Sequence, residues 1–180
     1  METIQVFDKT FKPYLSQEKI LTDVSRVAGE VSRDLKGVER PLFVCVLNGA
    51  FMFASDLFRR LDLPDAEITF IRMKSYMGTQ TTGKVKTIVG LMDSVVDRTV
   101  VIVEDIVDSG YTMQRLISQI KDLGAKDVKV CILLNKPNAR KVENLQIDYT
   151  ALEIPNDFIV GYGLDYNEQG RNLRDIWVVE

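Results

Sequence analysis

Residues 100–113 read VVIVEDIVDSGYTM, and this stretch decides the fold. An uninterrupted apolar run up to Val103 fits a strand covered on both faces. It meets Glu104, Asp105 and Asp108, and Ser109, Gly110 and Thr112 follow at the start of a helical stretch. There Met113, Leu116, Ile117, Ile120 and Leu123 recur at helical spacing until Gly124 stops them. Val128–Leu134 is a second apolar run. Strand, loop, helix and strand in this order form a βαβ unit, which implies a central parallel sheet. Ligands of such sheets bind beyond the carboxyl ends of the strands. The loops that begin at Asn48, Glu104 and Asn135 are therefore where a site is expected.

Working outward, Ile20, Val24, Val27, Ala28, Val31 and Leu35 mark one apolar helical face over residues 16–35, with Ser16 as N-cap. Pro41 to Leu47 reads as another doubly covered strand, broken by Asn48-Gly49, and residues 50–61 read as a helix. Ala66 to Met73 and VKTIVGLM predict a hairpin around the polar loop KSYMGTQTTGK, residues 74–84. Residues 135–180 hold only short strand-like pieces (YTALEI, FIVGY, IWVVE), read as a last sheet strand and a small irregular cap. With no repeat or linker, residues 1–180 read as a single α/β domain, a mostly parallel sheet flanked by helices, with the cap over roughly residues 135–180.

Composition excludes several classes of function. The 180 residues include no histidine, which removes Ser-His-Asp and Cys-His nucleophile pairs and the common His-ligated metal sites. Proton transfer near pH 7 then falls to carboxylates, lysine, tyrosine or water. A formal charge of −3, from 23 basic and 26 acidic residues, offers no field for nucleic acid or an anionic membrane. Cys45 and Cys131 lie inside apolar runs and read as inert core thiols. No apolar run approaches ~20 residues, and the amino-terminal segment lacks the apolar core of a signal peptide. A soluble cytoplasmic protein is expected.

In residues 104–112, small residues at a helix start leave backbone N–H groups open. With the Ser109 and Thr112 hydroxyls they form a phosphate cradle. It is neither a Walker loop nor a dinucleotide fingerprint, since Gly161 and Gly163 supply only G-x-G. Three carboxylates beside a phosphate need a reason: they suit ribose hydroxyls, a divalent cation or an electron-poor centre. A sugar phosphate with its hydroxyls toward Glu104 and Asp105 is the expected ligand. A solvated acidic strand end with an aspartate N-cap is the alternative.

VVIVEDIVDSGYT resembles the phosphoribosyl-pyrophosphate motif of the type I phosphoribosyltransferases: four apolar residues, two acidic, two apolar, Asp, a small hydroxyl residue, Gly, any residue and Thr. VLNGAFMFASDL, KSYMGTQTTGKVK, LLNKP and EIPNDFIVGYGLDYNEQGRNL resemble the pyrophosphate loop, the flexible loop and the purine-binding cap of the hypoxanthine-guanine branch.

The resemblance implies that a purine N9 displaces pyrophosphate from 5-phosphoribosyl 1-pyrophosphate with inversion. It makes Asp108 the general acid/base. Asp108, Ser109, Gly110, Tyr111 and Thr112 would hold the 5′-phosphate, and Glu104 and Asp105 would face the ribose hydroxyls. Leu47, Asn48, Gly49 and Arg171 would bind pyrophosphate, with a non-proline cis peptide between Leu47 and Asn48. Lys136 would donate to the 6-oxo group, Phe158 would stack on the base, Ile159 would meet its edge, and Asp165 would complete the purine end. Ser75 and Tyr76 would close over the reaction. The implied cofactor is Mg²⁺, with Glu104, Asp105 and Asp165 as its carboxylates. The implied partners are the two small substrates and further copies of the chain, as a homodimer or homotetramer. A xanthine-preferring transferase and a phosphoribosyl-pyrophosphate-sensing regulator are the competing readings. Asn48 stands where some family members carry Lys, which removes a charge near the pyrophosphate.

Overall fold

The computed structural model describes residues 2–76 and 85–180, with the side chains of 74–76 and 85–89 outside that description. Its main layer is a six-stranded sheet in the order β5-β4-β3-β6-β7-β8. The strands are β3 (Leu42–Val46), β4 (Glu67–Tyr76), β5 (Val85–Val89), β6 (Thr99–Val107), β7 (Asp127–Asn135) and β8 (Tyr149–Glu153). All neighbours are parallel except β4 and β5, the predicted hairpin.

Alternation explains the continuous apolar runs. Phe43, Cys45, Val101, Val103, Cys131 and Leu133 face a core shared with α1 (Gln17–Asp34) and α2 (Phe51–Phe58). Leu42, Val44, Val100, Ile102, Val130 and Ile132 face the opposite core, built on α3 (Tyr111–Asp122). Both sides of the strands are buried, so neither can be polar. Ser16 caps α1 as expected, its Oγ accepting from the Lys19 N–H. The second helix is shorter than its apolar pattern suggested: it ends at Phe58, and Leu61 packs on the core from the following turn. Cys45 and Cys131 are buried free thiols; burial pushes the first up to about 12 and raises the second as well.

The final sheet strand of the tail is β8. Beyond it, β9 (Ile159–Val160) and β10 (Ile176–Val179) join a second, antiparallel sheet in the order β1-β2-β10-β9. Here the structure adds to the sequence reading. The cap is a sheet completed by β1 (Ile4–Val6) and β2 (Lys9–Leu15), from the opposite end of the sequence. Phe11, Val160 and Trp177 bury its small core. No described helix is long and apolar enough to cross a membrane.

Candidate active site

At their carboxyl ends, β3 gives way to residues 47–49, β6 to residues 108–110 and β7 to Lys136. Glu104 and Asp105 lie on β6 itself, not on a loop: pairing with β7 continues through Glu104↔Ile132, Ile106↔Leu134 and Val107↔Asn135. The apolar Ile106 and Val107 carry the strand past the two acids, leaving only Asp108, Ser109 and Gly110 as the turn.

Gly110 is the N-cap of α3 with φ 87°, a left-handed conformation that favours glycine, and no side chain caps the helix. Asp108 is therefore not a plain N-cap. The Ser109 carbonyl is pinned by the N–H groups of Lys141 and Val142, at 3.0 and 3.2 Å. Residues 104–110, Thr112 and Met113 line a cavity of about 300 Å³, at the small end of the range for ligand sites. Tyr111, the first residue of α3, is exposed.

Asp105 is the most enclosed acid here. Its Oδ1 accepts from the Ile106 N–H at 2.9 Å, and its own N–H donates to Glu104 Oε1 at 3.2 Å. Burial pushes its carboxyl above the ordinary value, against the pull of these hydrogen bonds and the Arg171 guanidinium. Its Oδ2 lies against Gly49: a Cβ there would sit 1.7 Å away. A Cβ on Gly163 would in turn sit 2.1 Å from the Gly49 carbonyl oxygen. Three distant segments thus meet at one glycine. The peptide before it, Leu47-Asn48, is cis, as the resemblance suggested.

Lys136 is 7% exposed, unlike most lysines. Its Nζ donates to the Asp157 carbonyl at 2.8 Å and lies 3.3 Å from Asp108 Oδ1, whose own side chain is open to solvent. A network that sequence reading missed holds this strand end: Arg140 donates to Asn135 Oδ1 at 2.6 Å, and Asn135 Nδ2 to Glu153 Oε1 at 3.2 Å. Polar residues five and eighteen positions apart carry no spacing signal that would have revealed it. Phe158, 42% exposed, precedes β9; Tyr166 meets it edge-on at 5.2 Å and Phe11 at 6.0 Å, which fixes its ring. Ile159 is buried on β9, where backbone pairing with Val178 sets it.

Arg171 and Asp165 form an ion pair at 2.8 Å. Arg171 also donates to the Gly163 carbonyl and Glu168, and the Glu168 N–H donates to Asp165. Among the described residues, no three acidic or thiol groups converge into a metal site of their own. Glu104, Asp105 and Asp165 therefore do not form one closed ligand set, because Asp165 is held by Arg171. Such an open donor set fits Mg²⁺, which keeps waters and substrate phosphates and takes only one or two carboxylates. Ser75 and Tyr76 end β4 in backbone register with Lys86 and Val85. Their closing role, with that of residues 77–84, lies outside the described residues.

Residues 11–167 match the phosphoribosyl transferase domain family. The chain belongs to that family. A hypoxanthine-guanine phosphoribosyltransferase of Streptococcus thermophilus is 37% identical over 97% of both chains. A Listeria monocytogenes bifunctional TilS/HprT protein is 41% identical over 94% of this chain, which spans about a quarter (26%) of that relative's length. The crystal structure of a Bacillus anthracis hypoxanthine-guanine phosphoribosyltransferase superposes with a TM-score of 0.82 at 37% identity, covering 94% of this chain and 98% of that one. The sheet and its two apolar cores form the frame on which the cap sheet and the three loops are carried.

Proposed function

We propose that this protein is a purine salvage transferase that moves the 5-phosphoribosyl group from 5-phosphoribosyl 1-pyrophosphate to N9 of hypoxanthine or guanine, giving IMP or GMP and pyrophosphate. The observation that carries this reading is the buried Lys136 ammonium set against Asp108 at the edge of the phosphate cradle. An ammonium has only donors. Held by the Asp157 carbonyl and Asp108, it welcomes the 6-oxo acceptor of hypoxanthine or guanine and repels the 6-amino donor of adenine. Xanthine presents the same 6-oxo group, but the relatives' names favour hypoxanthine and guanine. The regulator alternative lacks support, since no basic cluster stands out for nucleic acid.

The 5′-phosphate rests on the backbone of Asp108–Thr112 and the hydroxyls of Ser109 and Thr112, at the amino end of α3. Glu104 and Asp105 face the ribose hydroxyls. Phe158 offers its exposed ring to the base, and Ile159 gives backbone polar groups at the base edge. Asp108 holds or takes the base proton, near N7. The pyrophosphate docks on Leu47, Asn48 and Gly49, with Arg171 as a planar partner once it exchanges Asp165 for the anion. Carboxylates among Glu104, Asp105 and Asp165 would hold Mg²⁺, which would supply positive charge against the pyrophosphate. Ser75 and Tyr76 close the site against water. We place the protein in the cytoplasm as a homodimer or homotetramer, for which the exposed Phe51 and Phe70 offer apolar surface.

The test supplies Mg²⁺, phosphoribosyl pyrophosphate and each of hypoxanthine, guanine, xanthine and adenine, and follows nucleotide formation. Turnover of hypoxanthine and guanine is expected, and absence of turnover with every base refutes the reading. Lys136→Ala is expected to lower kcat/KM for both 6-oxopurines by about 10²-fold, the scale of a lost charged hydrogen bond plus an orphaned acceptor. Unchanged kinetics with them would remove Lys136 from the specificity argument.

A further inference from the structure

Val46, the last residue of β3, pairs with Ile71, and the Leu47 N–H still donates to the Ile71 carbonyl at 2.8 Å. One residue later the backbone ladder stops and the chain turns toward α2. From Arg72 onward β4 pairs only with β5, on its other side. A side chain takes over where the ladder ends: the Arg72 guanidinium donates to Asn48 Oδ1 at 2.8 Å.

Arg40, Arg60, Arg98 and Arg171 each meet a carboxylate. Arg72 has no acidic partner among the described residues. An unneutralised cation is thus one hydrogen bond away from the loop that would receive an anionic leaving group. The sequence alone suggested that the neutral Asn48 leaves this loop short of charge; the neighbouring strand restores it.

We propose that Arg72 is a positioning residue for the pyrophosphate loop, acting through Asn48; this rests on the transferase reading above. The fork of Arg72 fixes the Asn48 side chain, and with it the peptide planes of residues 47–49 that face the pyrophosphate. Its charge also raises the local potential for that anion. The base and the general acid/base lie at another strand end, across β6 and β7, and are not touched by this contact.

The test compares wild type, Arg72→Ala, Arg72→Lys, Asn48→Ala and the Asn48→Ala/Arg72→Ala double variant. Calorimetry measures binding of pyrophosphate with Mg²⁺, and steady-state kinetics vary each substrate. Arg72→Ala is expected to weaken pyrophosphate binding and to raise KM for phosphoribosyl pyrophosphate by about three- to tenfold, as for a partly exposed charged hydrogen bond. KM for hypoxanthine and kcat stay within about twofold by the same logic. Arg72→Lys recovers part of the loss, since an ammonium keeps the charge without the fork. The double variant is no worse than the weaker single one, because both remove one coupled contact. Unchanged pyrophosphate binding, an equal rise in KM for hypoxanthine, or additive losses would overturn the assignment. If wild type binds pyrophosphate yet turns over no base, the transferase reading fails while the binding ratio still decides the role of Arg72.

Discussion

Lys136 and Asp105 bring opposite charges into the same site, and the fold treats them differently. The ammonium finds a carbonyl and a carboxylate within reach. Asp105 lies on β6, where burial raises its pKa above the ordinary carboxylate range. An acid with a raised native pKa holds its proton more tightly when folded. This group's contribution to stability is therefore full below the ordinary carboxylate range and declines as pH rises through the native value. In the ligand-free protein the charged form of this buried carboxyl is the costly one. Asp105→Asn is thus expected to raise Tm by a few degrees in the presence of a chelator while reducing turnover by at least about 10²-fold, a trade of activity for stability. Thermal melts with EDTA and activity assays check it; a lower Tm would show that the hydrogen bonds to Asp105 outweigh its burial. The pattern of acids in residues 104–108 was legible in the sequence. Their unequal burial was not, since the Asp105 carboxylate packs against Gly49, far away along the chain.

Among the elements, the strands of the main sheet were the most legible, because a strand covered on both faces leaves a solid apolar run. The strand β2 left no such trace. It contains Pro13, which ordinarily argues against an inner strand. The structure accommodates it where the register with β10 shifts between Ile176 and Trp177. A bulge of this kind is a property of the pair and cannot be read from one partner. The loop of residues 47–49 behaves similarly. Its break at Asn48-Gly49 was visible, but the reason for glycine was not: Asp105 and Gly163 both press on this residue. Gly49→Ala is expected to displace the Asp105 carboxylate and to lower kcat/KM for phosphoribosyl pyrophosphate by about 10²-fold, as small misplacements in a preorganised site do. Kinetics on a variant with a native circular dichroism spectrum check this. Near-normal kcat/KM would mean that the loop can yield.

At the scale of the whole molecule, side-chain hydrogen bonds such as Tyr162 to Asp56 and Lys136 to the Asp157 carbonyl tie the main layer to the cap. The Tyr162 hydroxyl donates to Asp56 Oδ2 on α2 at 2.7 Å, with its phenol pKa pushed up by burial and by that carboxylate. Tyr162→Phe is expected to lower stability by about 1 kcal/mol, the usual worth of such a bond. It should also raise KM for the base more than KM for phosphoribosyl pyrophosphate, because Phe158 rides on the cap. Denaturant titration and paired KM measurements test both parts, and equal shifts in the two KM values would show that the cap does not move separately. The cap was foreseen as a purine-binding appendage of residues 135–180, but not its use of β1 and β2. A segment such as KTFKPYL carries too little pattern to predict β10, more than a hundred residues away, as its partner.

That pairing sets an order of events during synthesis. Leu15 waits for Ile176, and Phe11 for Val179, before the second sheet can close. By then the ribosome has delivered every strand of the main sheet, whose contacts are much nearer in sequence and close at a lower entropic cost. The phosphate cradle of residues 104–112 can therefore take shape on a nascent chain while the ring of Phe158 still lacks its neighbours Phe11 and Tyr166. Until β10 arrives, the side of β2 away from β1 is an open edge that chaperones or a neighbouring chain can capture.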